Sequence, residues 1–461
     1  MFYSMYQLST LAILLLVVVP TSLFRYVKAI QTPLTERGDP PLGIHHLPAP
    51  TGPYTIGTTN LILTDQTRLE IFSPTPNTTA RTIVGQIYYP TLPADQLNKS
   101  GSYTLSPYLT PGIARWLENG YGFPSHAVDG ILTNTYLDAS VSLPRGKDPA
   151  NVVVFSPGYG LSRSFYATYH EQLASKGYVV VAIEHLYDVD YVDIPGLGVF
   201  QNPYVNASAE DSAAIIDEMH AVRVQDALFI LRSLADPQSQ LVTGVENLIA
   251  NGGSGYDKDT WWSKNARVAM YGHSLGGSTS AGAMLVDNTS VKLLGGINLD
   301  GMFVGPAMLV DNTSVKPLGG INLDGMFVDP AINPPATPYN YLDSPFLLFG
   351  HQGHNRTSDS TWTFFYDNVL RGWKRELALL DAQHLTFSDF PAIADLLGLR
   401  NVLPPAVVDG FVGTIPGLGA VQVVREFVGA FMDWVVRRDE SGEKLLDGVG
   451  KEKWPEVQYL W

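Results

Sequence analysis

The sequence contains no cysteine among its 461 residues, which excludes disulfide bonds, thiolate metal sites and a cysteine nucleophile. Positive charge is also scarce, since 29 Lys and Arg stand against 44 Asp and Glu, for a formal net charge of −15. A nucleic-acid-binding protein needs the opposite sign to neutralise phosphates. Nucleic acid is therefore excluded as a partner, and strong adsorption to anionic membranes is disfavoured for the same reason.

The composition is that of a globular protein with a sizeable core. Hydrophobic residues make up 45% of the chain and charged residues only 16%. A chain of this length can be stable without disulfides, because it buries a large share of its surface on folding. The sequence predicts no metal, no organic cofactor and no obligate protein partner.

One long apolar run, LAILLLVVV at residues 11–19, stands near the N-terminus. It has the length of a signal-peptide core and is short for a transmembrane helix. We expect residues 1–29 to be a signal peptide cleaved after Ala29, so that the mature protein is secreted and extracellular. A signal anchor is the alternative, because Arg25 and Lys28 follow the run.

Six Asn-x-Ser/Thr sequons support an extracellular location, although each one alone is a weak signal. They are the glycosylation candidates of this chain and lie at Asn77, Asn98, Asn206, Asn288, Asn312 and Asn355.

The chain divides into a short lead-in, one large domain and a tail. Residues 30–54 are rich in Pro and Gly and predict an extended lead-in. From residue 150, apolar strand patterns alternate with helical ones, which indicates a mostly parallel sheet covered by helices on both faces. We expect one large α/β domain over 55–440 and a C-terminal tail over 441–461.

Residues 283–306 recur almost unchanged as residues 307–330. The two copies differ only at Leu293/Pro317 and Gly305/Asp329. A repeat architecture needs more copies than two to stack. We therefore interpret the pair as a local tandem duplication or an error of the gene model.

The segment GHSLGG at residues 272–277 matches the G-x-S-x-G nucleophile elbow, in which the serine lies on a strained turn between a strand and a helix. An apolar strand pattern precedes it and a helix of small residues follows it, which is the context that the motif requires. The sequence therefore predicts Ser274 as the nucleophile. Together with the parallel sheet, the motif predicts that residues 55–440 are the catalytic domain of an α/β-hydrolase fold.

A serine hydroxyl needs a base to take its proton. His384 follows the apolar strand at 376–380, where a loop reaches the carboxyl edge of the sheet. His351 and His354 follow another strand and are its rivals, and His273 lies within the elbow itself. We favour His384 as the base.

Each copy of the duplication contains one candidate for the triad acid, Asp300 or Asp324. Both end the segment GGINLD at the predicted carboxyl end of a strand. We favour Asp300, because it continues directly from the nucleophile helix as one crossover unit. The second copy would then bulge from a loop edge. Asp324 stays open because it leads into the next strand, and Asp359 is a fallback.

The oxyanion of an acyl-transfer reaction needs backbone N–H donors. One is expected from Leu275, the residue after the nucleophile. The other is expected near Tyr159, in the glycine-rich turn SPGYG that follows the strand at 152–155.

Together, the ordered segments FSPGYG, VVAIEH, GHSLGG, GGINLDG and HLTFSDF resemble the plasma-type platelet-activating factor acetylhydrolase family, including its secreted fungal relatives. The resemblance covers roughly residues 50–440. It implies Ser274 as nucleophile, His384 as base, one of the two aspartates as acid, and Tyr159 and Leu275 as oxyanion donors. It also implies calcium-independent hydrolysis of short or oxidised sn-2 acyl esters of phospholipids.

Three features depart from the animal pattern of that family: Pro157 stands where a histidine precedes the glycine, the loop at 187–207 is unfamiliar, and the duplication is present. The alternatives are a secreted esterase or lipase acting on polyesters or triglycerides, a transferase, and a catalytically dead binding protein. Apolar segments at 194–200 and 392–399 are candidates for an acyl pocket or for contact with a lipid surface, or are ordinary packing.

Overall fold

The computed structural model describes a set of ranges that covers most of the chain from residue 45 onward. These ranges are 45–100, 103–121, 123, 125–142, 151–205, 207, 209–250, 267–288, 317–328 and 341–461. The expected signal peptide, most of the expected lead-in, Asn206, Asp300 and Asn312 lie outside the described residues.

The described strands are numbered in chain order. They are β1 (His45–His46), β2 (Ile56–Leu69), β3 (Ala80–Pro90), β4 (Leu105–Pro107), β5 (Ile131–Leu137), β6 (Asn151–Ser156), β7 (Val179–Glu184), β8 (Val192–Ile194), β9 (Gly198–Phe200), β10 (Arg267–His273), β11 (Pro317–Leu323), β12 (Phe346–His351), β13 (Lys374–Leu379) and β14 (Val457–Tyr459).

The described α-helices are numbered in the same way. They are α1 (Ala94–Ser100), α2 (Pro111–Tyr121), α3 (Ala167–Ser175), α4 (Ala209–Ala235), α5 (Gln240–Ala250), α6 (Leu275–Asn288), α7 (Ser360–Phe364), α8 (Phe390–Leu396), α9 (Leu399–Val402), α10 (Pro405–Val412), α11 (Gly417–Arg437) and α12 (Glu440–Leu446). Short 3-10 turns span Arg163–Tyr166, His384–Phe387 and Lys451–Lys453, and a π turn spans Phe365–Val369.

One sheet of twelve strands organises the domain. Its order is β1-β5-β2-β3-β7-β6-β10-β11-β12-β13-β14, with β4 paired to β5. The run from β7 to β13 is parallel throughout. The antiparallel β2–β3 hairpin and β14 lie outside this run. A mostly parallel sheet was predicted, and it is confirmed as an α/β-hydrolase fold.

The central strands are apolar along their whole length because helices cover both faces of the sheet. β7 is buried at every residue, and β6 at every residue after Asn151. One face packs against α3 and α11 through a large apolar cluster that includes Leu173 and Phe427. The other face packs against α4 and α5 through a second cluster that includes Leu231 and Leu241. The helices thereby hold the carboxyl ends of the parallel strands in register.

Both ends of the described chain belong to the domain, which corrects two of the expected boundaries. β14 pairs antiparallel with β13, with Leu377 opposite Tyr459, so residues 441–461 are not a tail. Within the expected lead-in, β1 pairs with β5, and Leu47 is buried. Sequence patterns missed these elements because each is only two or three residues long.

The second copy of the duplication contributes to the centre of the sheet. β11 is formed by Pro317–Leu323 and lies between β10 and β12 in parallel register. The expectation that the second copy bulges from a loop edge was therefore wrong. Within the first copy, residues 283–288 complete α6.

The stretch Pro405–Arg437, which holds α10 and α11, is apolar and long enough to cross a membrane by composition. In the fold, 56% of its most apolar window is buried. This burial is typical of a core helix of a globular domain.

Candidate active site

Ser274 lies on the turn between β10 and α6, with a φ of 54° in the left-handed region. The flanking glycines are required by close backbone approach. A Cβ on Gly272 would lie 2.1 Å from the Gly276 carbonyl oxygen, and one on Gly276 would lie 2.0 Å from that of Ser156. The predicted nucleophile elbow is therefore present, with its strain held by packing against β6.

His384 begins the 3-10 turn that follows β13 and lies next to Ser274. Its Nε2 is 3.0 Å from the Ser274 Oγ. The serine hydroxyl donates and the imidazole accepts, in the tautomer whose other nitrogen carries the proton. The structure thus brings together the two residues predicted as nucleophile and base.

Asp324 follows β11 directly and lies beside His384. Its Oδ2 is 2.7 Å from the Nδ1 of His384, and its side chain is fully buried. The carboxylate beside His384 is therefore that of Asp324, the second candidate for the acid, whereas the favoured Asp300 lies outside the described residues. Asp324 lies there because β11, which ends just before it, pairs with the strand β10 that leads to Ser274.

Asp324 also receives hydrogen bonds from the two histidines considered as rival bases. The backbone N–H of His351 donates to Oδ1, and its Nδ1 lies 2.9 and 3.0 Å from the two carboxylate oxygens. The Nδ1 of His354 lies 3.0 Å from Oδ1. Burial by itself raises the pKa of Asp324, but the neighbouring histidines hold it well below its usual range. His351 and His354 thus contact the acid and not the nucleophile.

The other ring nitrogen of His354 contacts a second carboxylate. Its Nε2 lies 2.8 Å from Asp359 Oδ2, while Asp359 Oδ1 caps α7 by accepting from the Thr361 N–H. Burial lowers the pKa of His354, but the two carboxylates outweigh it and raise the pKa to about 10. Asp359, the fallback acid, is therefore a partner of His354 and not of His384.

Among the described residues, Asp324, His351 and His354 form a group whose side-chain oxygen and nitrogen atoms lie within 4.8 Å of one another, as in a metal site. These atoms already bond to each other. Both nitrogens of His354 face carboxylates and so carry protons, whereas a metal ligand needs a free lone pair. We interpret the group as a hydrogen-bond network.

His273 connects the loop that carries the base to the turn after β6. Its Nε2 donates to the His384 carbonyl oxygen at 3.0 Å, and its Nδ1 accepts from the Tyr166 hydroxyl at 2.8 Å. Tyr166 in turn accepts from the Gly158 N–H at 3.1 Å. Burial lowers the pKa of His273 to about 3, so its ring is neutral. His273 therefore supports the site and is not the base.

The turn after β6 lies against the nucleophile, as predicted for the oxyanion donors. A Cβ on Gly158 would lie 3.3 Å from the Ser274 Cβ. The Tyr159 N–H follows in this turn. Leu275 begins α6, where first-turn N–H groups have no intrahelical acceptor. The two residues expected to provide the oxyanion donors thus flank Ser274.

Arg223 of α4 contacts the backbone of the same turn. It donates to the Pro157 and Gly158 carbonyl oxygens and forms a buried ion pair with Asp188, whose carboxylate is 2.7 Å from the Arg223 Nε. Sequence reasoning missed Arg223 and Tyr166. Arg223 contacts backbone carbonyl groups more than 60 positions away, and Tyr166 joins the Gly158 N–H to the His273 ring, which is 107 positions away.

The two apolar segments singled out in the sequence have different environments. Ala392, Ile393 and Leu397 of the segment at 392–399 are buried, so this segment is packing. The segment at 194–200 forms the β8–β9 hairpin, with Leu197 37% and Val199 56% exposed.

A strained serine between a strand and a helix, a histidine bonded to it and a buried aspartate bonded to that histidine lie at the carboxyl edge of a parallel sheet. This fold and this site define the protein as an α/β-hydrolase with a Ser–His–Asp constellation.

The particular family follows from comparison with known proteins. Residues 43–305 match the family model of platelet-activating factor acetylhydrolase, isoform II, which is more than half of the chain. The chain belongs to this family and is a carboxylic ester hydrolase.

One relative and one solved structure are similar over most of the chain. A probable 1-alkyl-2-acetylglycerophosphocholine esterase of Arthroderma benhamiae is 27% identical over 426 residues, covering 90% of this chain and 93% of that protein. The structure of a ferulic acid esterase from Streptomyces cinnamoneus superimposes with a TM-score of 0.66 at 25% identity, covering 91% of this chain and all of that one.

Proposed function

We propose that Ser274, His384 and Asp324 form the catalytic triad of an esterase that releases short acyl groups from the sn-2 position of phospholipids. The observation that carries the triad is the continuous chain of contacts from the Ser274 Oγ to His384 and on to Asp324, at 3.0 and 2.7 Å.

In the proposed mechanism, the Ser274 Oγ attacks the ester carbonyl while its proton moves to the Nε2 of His384. Asp324 stabilises the imidazolium that forms, and the N–H groups of Leu275 and Tyr159 stabilise the oxyanion. The tetrahedral intermediate expels the lysophospholipid alcohol, which takes the proton from His384. Water, activated by the same histidine, then attacks the acyl-enzyme and releases the carboxylic acid and free Ser274.

A small apolar cluster beside the proposed oxyanion position offers a contact surface for a bound acyl group. It consists of Ile216, Leu275 and Val328, with Tyr159 packed against them. Because Leu275 and Tyr159 also carry the proposed oxyanion donors, a bound acyl group would contact this cluster directly. The family and the name of the fungal relative favour an acetyl group on an alkyl glycerophosphocholine.

The test is sn-2 acyl release from acetyl- and palmitoyl-phosphatidylcholine analogues with calcium chelated, with Ser274→Ala alongside. We expect release of acetyl and much less of palmitoyl, and no release by the variant. Full activity in Ser274→Ala would overturn the triad. No release from either lipid, with Ser274 still labelled by a fluorophosphonate probe, would redirect the proposal to another ester, and loss of labelling would indicate a dead hydrolase.

A second candidate substrate is an ester of an aromatic acid, because the ferulic acid esterase covers nearly the whole chain in superposition. A feruloyl ester in the same assay separates the two candidates. Turnover of the feruloyl ester with none of the acetyl phospholipid would favour the second.

The secretion and glycosylation of this protein also remain proposals, supported by the apolar run at 11–19 and by the sequons. Among the described sequons, Asn77 is exposed on the β2–β3 connection, whereas Asn355 is half-buried and accepts from the Thr357 N–H. We therefore expect Asn77 to be glycosylated more fully than Asn355. Glycopeptide mass spectrometry of protein recovered from culture medium tests both points.

The β8–β9 hairpin is the surface that we propose contacts the lipid. Asp193 anchors the hairpin by accepting from the Ile113 N–H at the start of α2. The exposed Leu197 lies in the turn of the hairpin, and the exposed Val199 is paired with Asp193 across it. The hairpin is close to the site, since Val189 bridges to Gly160 in the oxyanion turn. The net charge of −15 favours a zwitterionic over an anionic lipid surface.

Val199→Asp tests this contact. We expect lower activity on phosphatidylcholine vesicles and unchanged activity on a soluble short ester, because apolar burial in the interface is lost. Val449→Asp, at another highly exposed valine, is the matched control. Equal losses on both substrates, or an equal effect of Val449→Asp, would exclude the hairpin as the contact.

A further inference from the structure

We propose that His354 is a positioning residue, an imidazolium held between Asp324 and Asp359 that orients the triad carboxylate towards His384. This inference rests on the triad proposed above and extends it by two residues, His354 and Asp359.

The first argument is geometric. The Nδ1 of His354 lies 3.0 Å from Asp324 Oδ1, and its Nε2 lies 2.8 Å from Asp359 Oδ2. A neutral imidazole has one N–H, and a carboxylate only accepts, so two carboxylate partners require both nitrogens to be protonated. His354 therefore carries a positive charge whenever both carboxylates are ionised.

The second argument is the division of the Asp324 carboxylate. Oδ1 accepts hydrogen bonds from the Nδ1 of His354 and from the backbone N–H of His351. The Nδ1 of His351 lies within hydrogen-bond distance of both carboxylate oxygens. Oδ2 is left to accept from His384 at 2.7 Å. Holding Oδ1 from the far side prevents the carboxylate from rotating, so Oδ2 stays aimed at the base.

Burial makes this arrangement stiff and electrostatically strong. Asp324 is fully buried, His354 is 11% exposed and Asp359 is 9% exposed. The Trp362 ring packs on the His354 ring at 4.5 Å between centroids. Asp359 offsets the imidazolium charge, which would otherwise stand against the protonated His384 formed during the reaction.

The charge on His354 is set by its two carboxylate partners, Asp324 and Asp359. The other titratable groups facing this cluster are His351, which bonds Asp324, and His273, whose neutral ring lies 4.6 Å from that of His384. The raised pKa of His354, about 10, agrees with a charge that persists across the working range.

The experiment measures kcat and KM of the wild type and His354→Gln on a soluble ester, with stability followed by thermal unfolding. In the variant we expect kcat to fall about tenfold, because the Asp324 carboxylate is no longer held in place, and KM to stay close to its wild-type value. His126→Gln is the matched control, since this exposed histidine also pairs with an aspartate, Asp129; it should leave kcat and KM unchanged.

A lower melting temperature with kcat unchanged would overturn the positioning role of His354. An active Ser274→Ala would instead overturn the triad itself, so the two failures are distinguishable. Should His354→Gln not fold, ring-nitrogen NMR of the histidine-labelled wild type provides the test. A histidine that is protonated on both nitrogens at about pH 8.5, and whose signal shifts in Asp359→Asn, supports the proposal. The absence of such a histidine overturns it.

Discussion

Asp324 Oδ2 lies 2.7 Å from His384 Nδ1, although the two residues are 60 positions apart and belong to the ends of different strands. β11 and β13, which precede them, are separated in the sheet by β12. The contact exists because parallel strands end at one edge, and loops from alternate strands meet above it. It also decides between two identical sequence segments, which leads to the first prediction.

Asp324→Asn is expected to lower kcat by about 10³- to 10⁴-fold, because an amide cannot stabilise the imidazolium or hold its tautomer. Asp300→Asn is a closely matched control, because the same segment GGINLDG surrounds both residues. We expect it to keep wild-type kcat. Steady-state kinetics of the two variants on a soluble ester measure the difference, and a larger loss in Asp300→Asn would return the acid to the first copy.

Arg223→Lys is expected to lower kcat about tenfold with little change in KM, because the oxyanion turn loses a planar donor to two carbonyl groups. The lysine keeps a positive charge beside Asp188, which limits the loss of stability. Arg375→Lys, at a partly exposed arginine paired with Asp447, is the control. A change confined to the melting temperature, with kcat intact, would mean that Arg223 only supports the fold.

Asp389→Asn is expected to stabilise the protein above about pH 6. Asp389 is fully buried, and burial raises its pKa to about 6, although hydrogen bonds from Thr168 lower it. Because the folded-state pKa exceeds the unfolded one, the wild type loses stability as pH rises from about 4 to about 6, by about 3 kcal/mol at most. The neutral amide of the variant does not ionise, so the variant keeps this stability as the pH rises.

Thermal unfolding of wild type and Asp389→Asn at several pH values measures this effect. The difference in melting temperature should favour the variant at pH 8 and shrink towards pH 4. Asp367→Asn, at an exposed aspartate, controls for the change of net charge. A difference that is the same at every pH would show that Asp389 does not titrate in this window.

Gly276→Ala is expected to destabilise the fold by at least about 3 kcal/mol and to abolish activity, because a Cβ there would lie 2.0 Å from the Ser156 carbonyl oxygen. Gly410→Ala is the control: this exposed glycine of α10 has nothing within 4 Å of an added Cβ. It should stabilise the helix by about 0.5–1 kcal/mol. Chemical denaturation measures both, and similar stabilities would contradict the close packing of the elbow.

Local pattern was sufficient for the parts of the site that depend on local structure. The elbow at Ser274 needs a strand, a tight turn with glycines and a helix. All three lie within one short segment, and each can be recognised from the sequence of that segment. His384 follows a strand end, and Leu275 and Tyr159 follow from the geometry of the turns. The parallel sheet was predictable for the same reason, because strands buried on both faces are apolar along their length.

Contacts between distant segments were not predictable in this way. The rival histidines His351 and His354 were recognised as chemically active residues at a strand end, but their partner, Asp324, is set by which strand lies next to theirs. The short strand β14 was missed because three residues carry no period, and its pairing with β13 depends on packing at the sheet edge.

The sequence by itself determined the fold class, because a parallel sheet buried on both faces follows from periodicity within single segments. It also predicted Ser274 and His384 as nucleophile and base from the turn chemistry around them. Its preference for Asp300 over Asp324 depended only on chain continuity, because the identical segments GGINLDG around them have identical local preferences. The tertiary structure places Asp324 beside His384, by pairing Pro317–Leu323 with the strand that leads to Ser274. Which strands lie next to each other is a long-range property of the packed sheet. The local sequence of a duplicated segment therefore does not predict it.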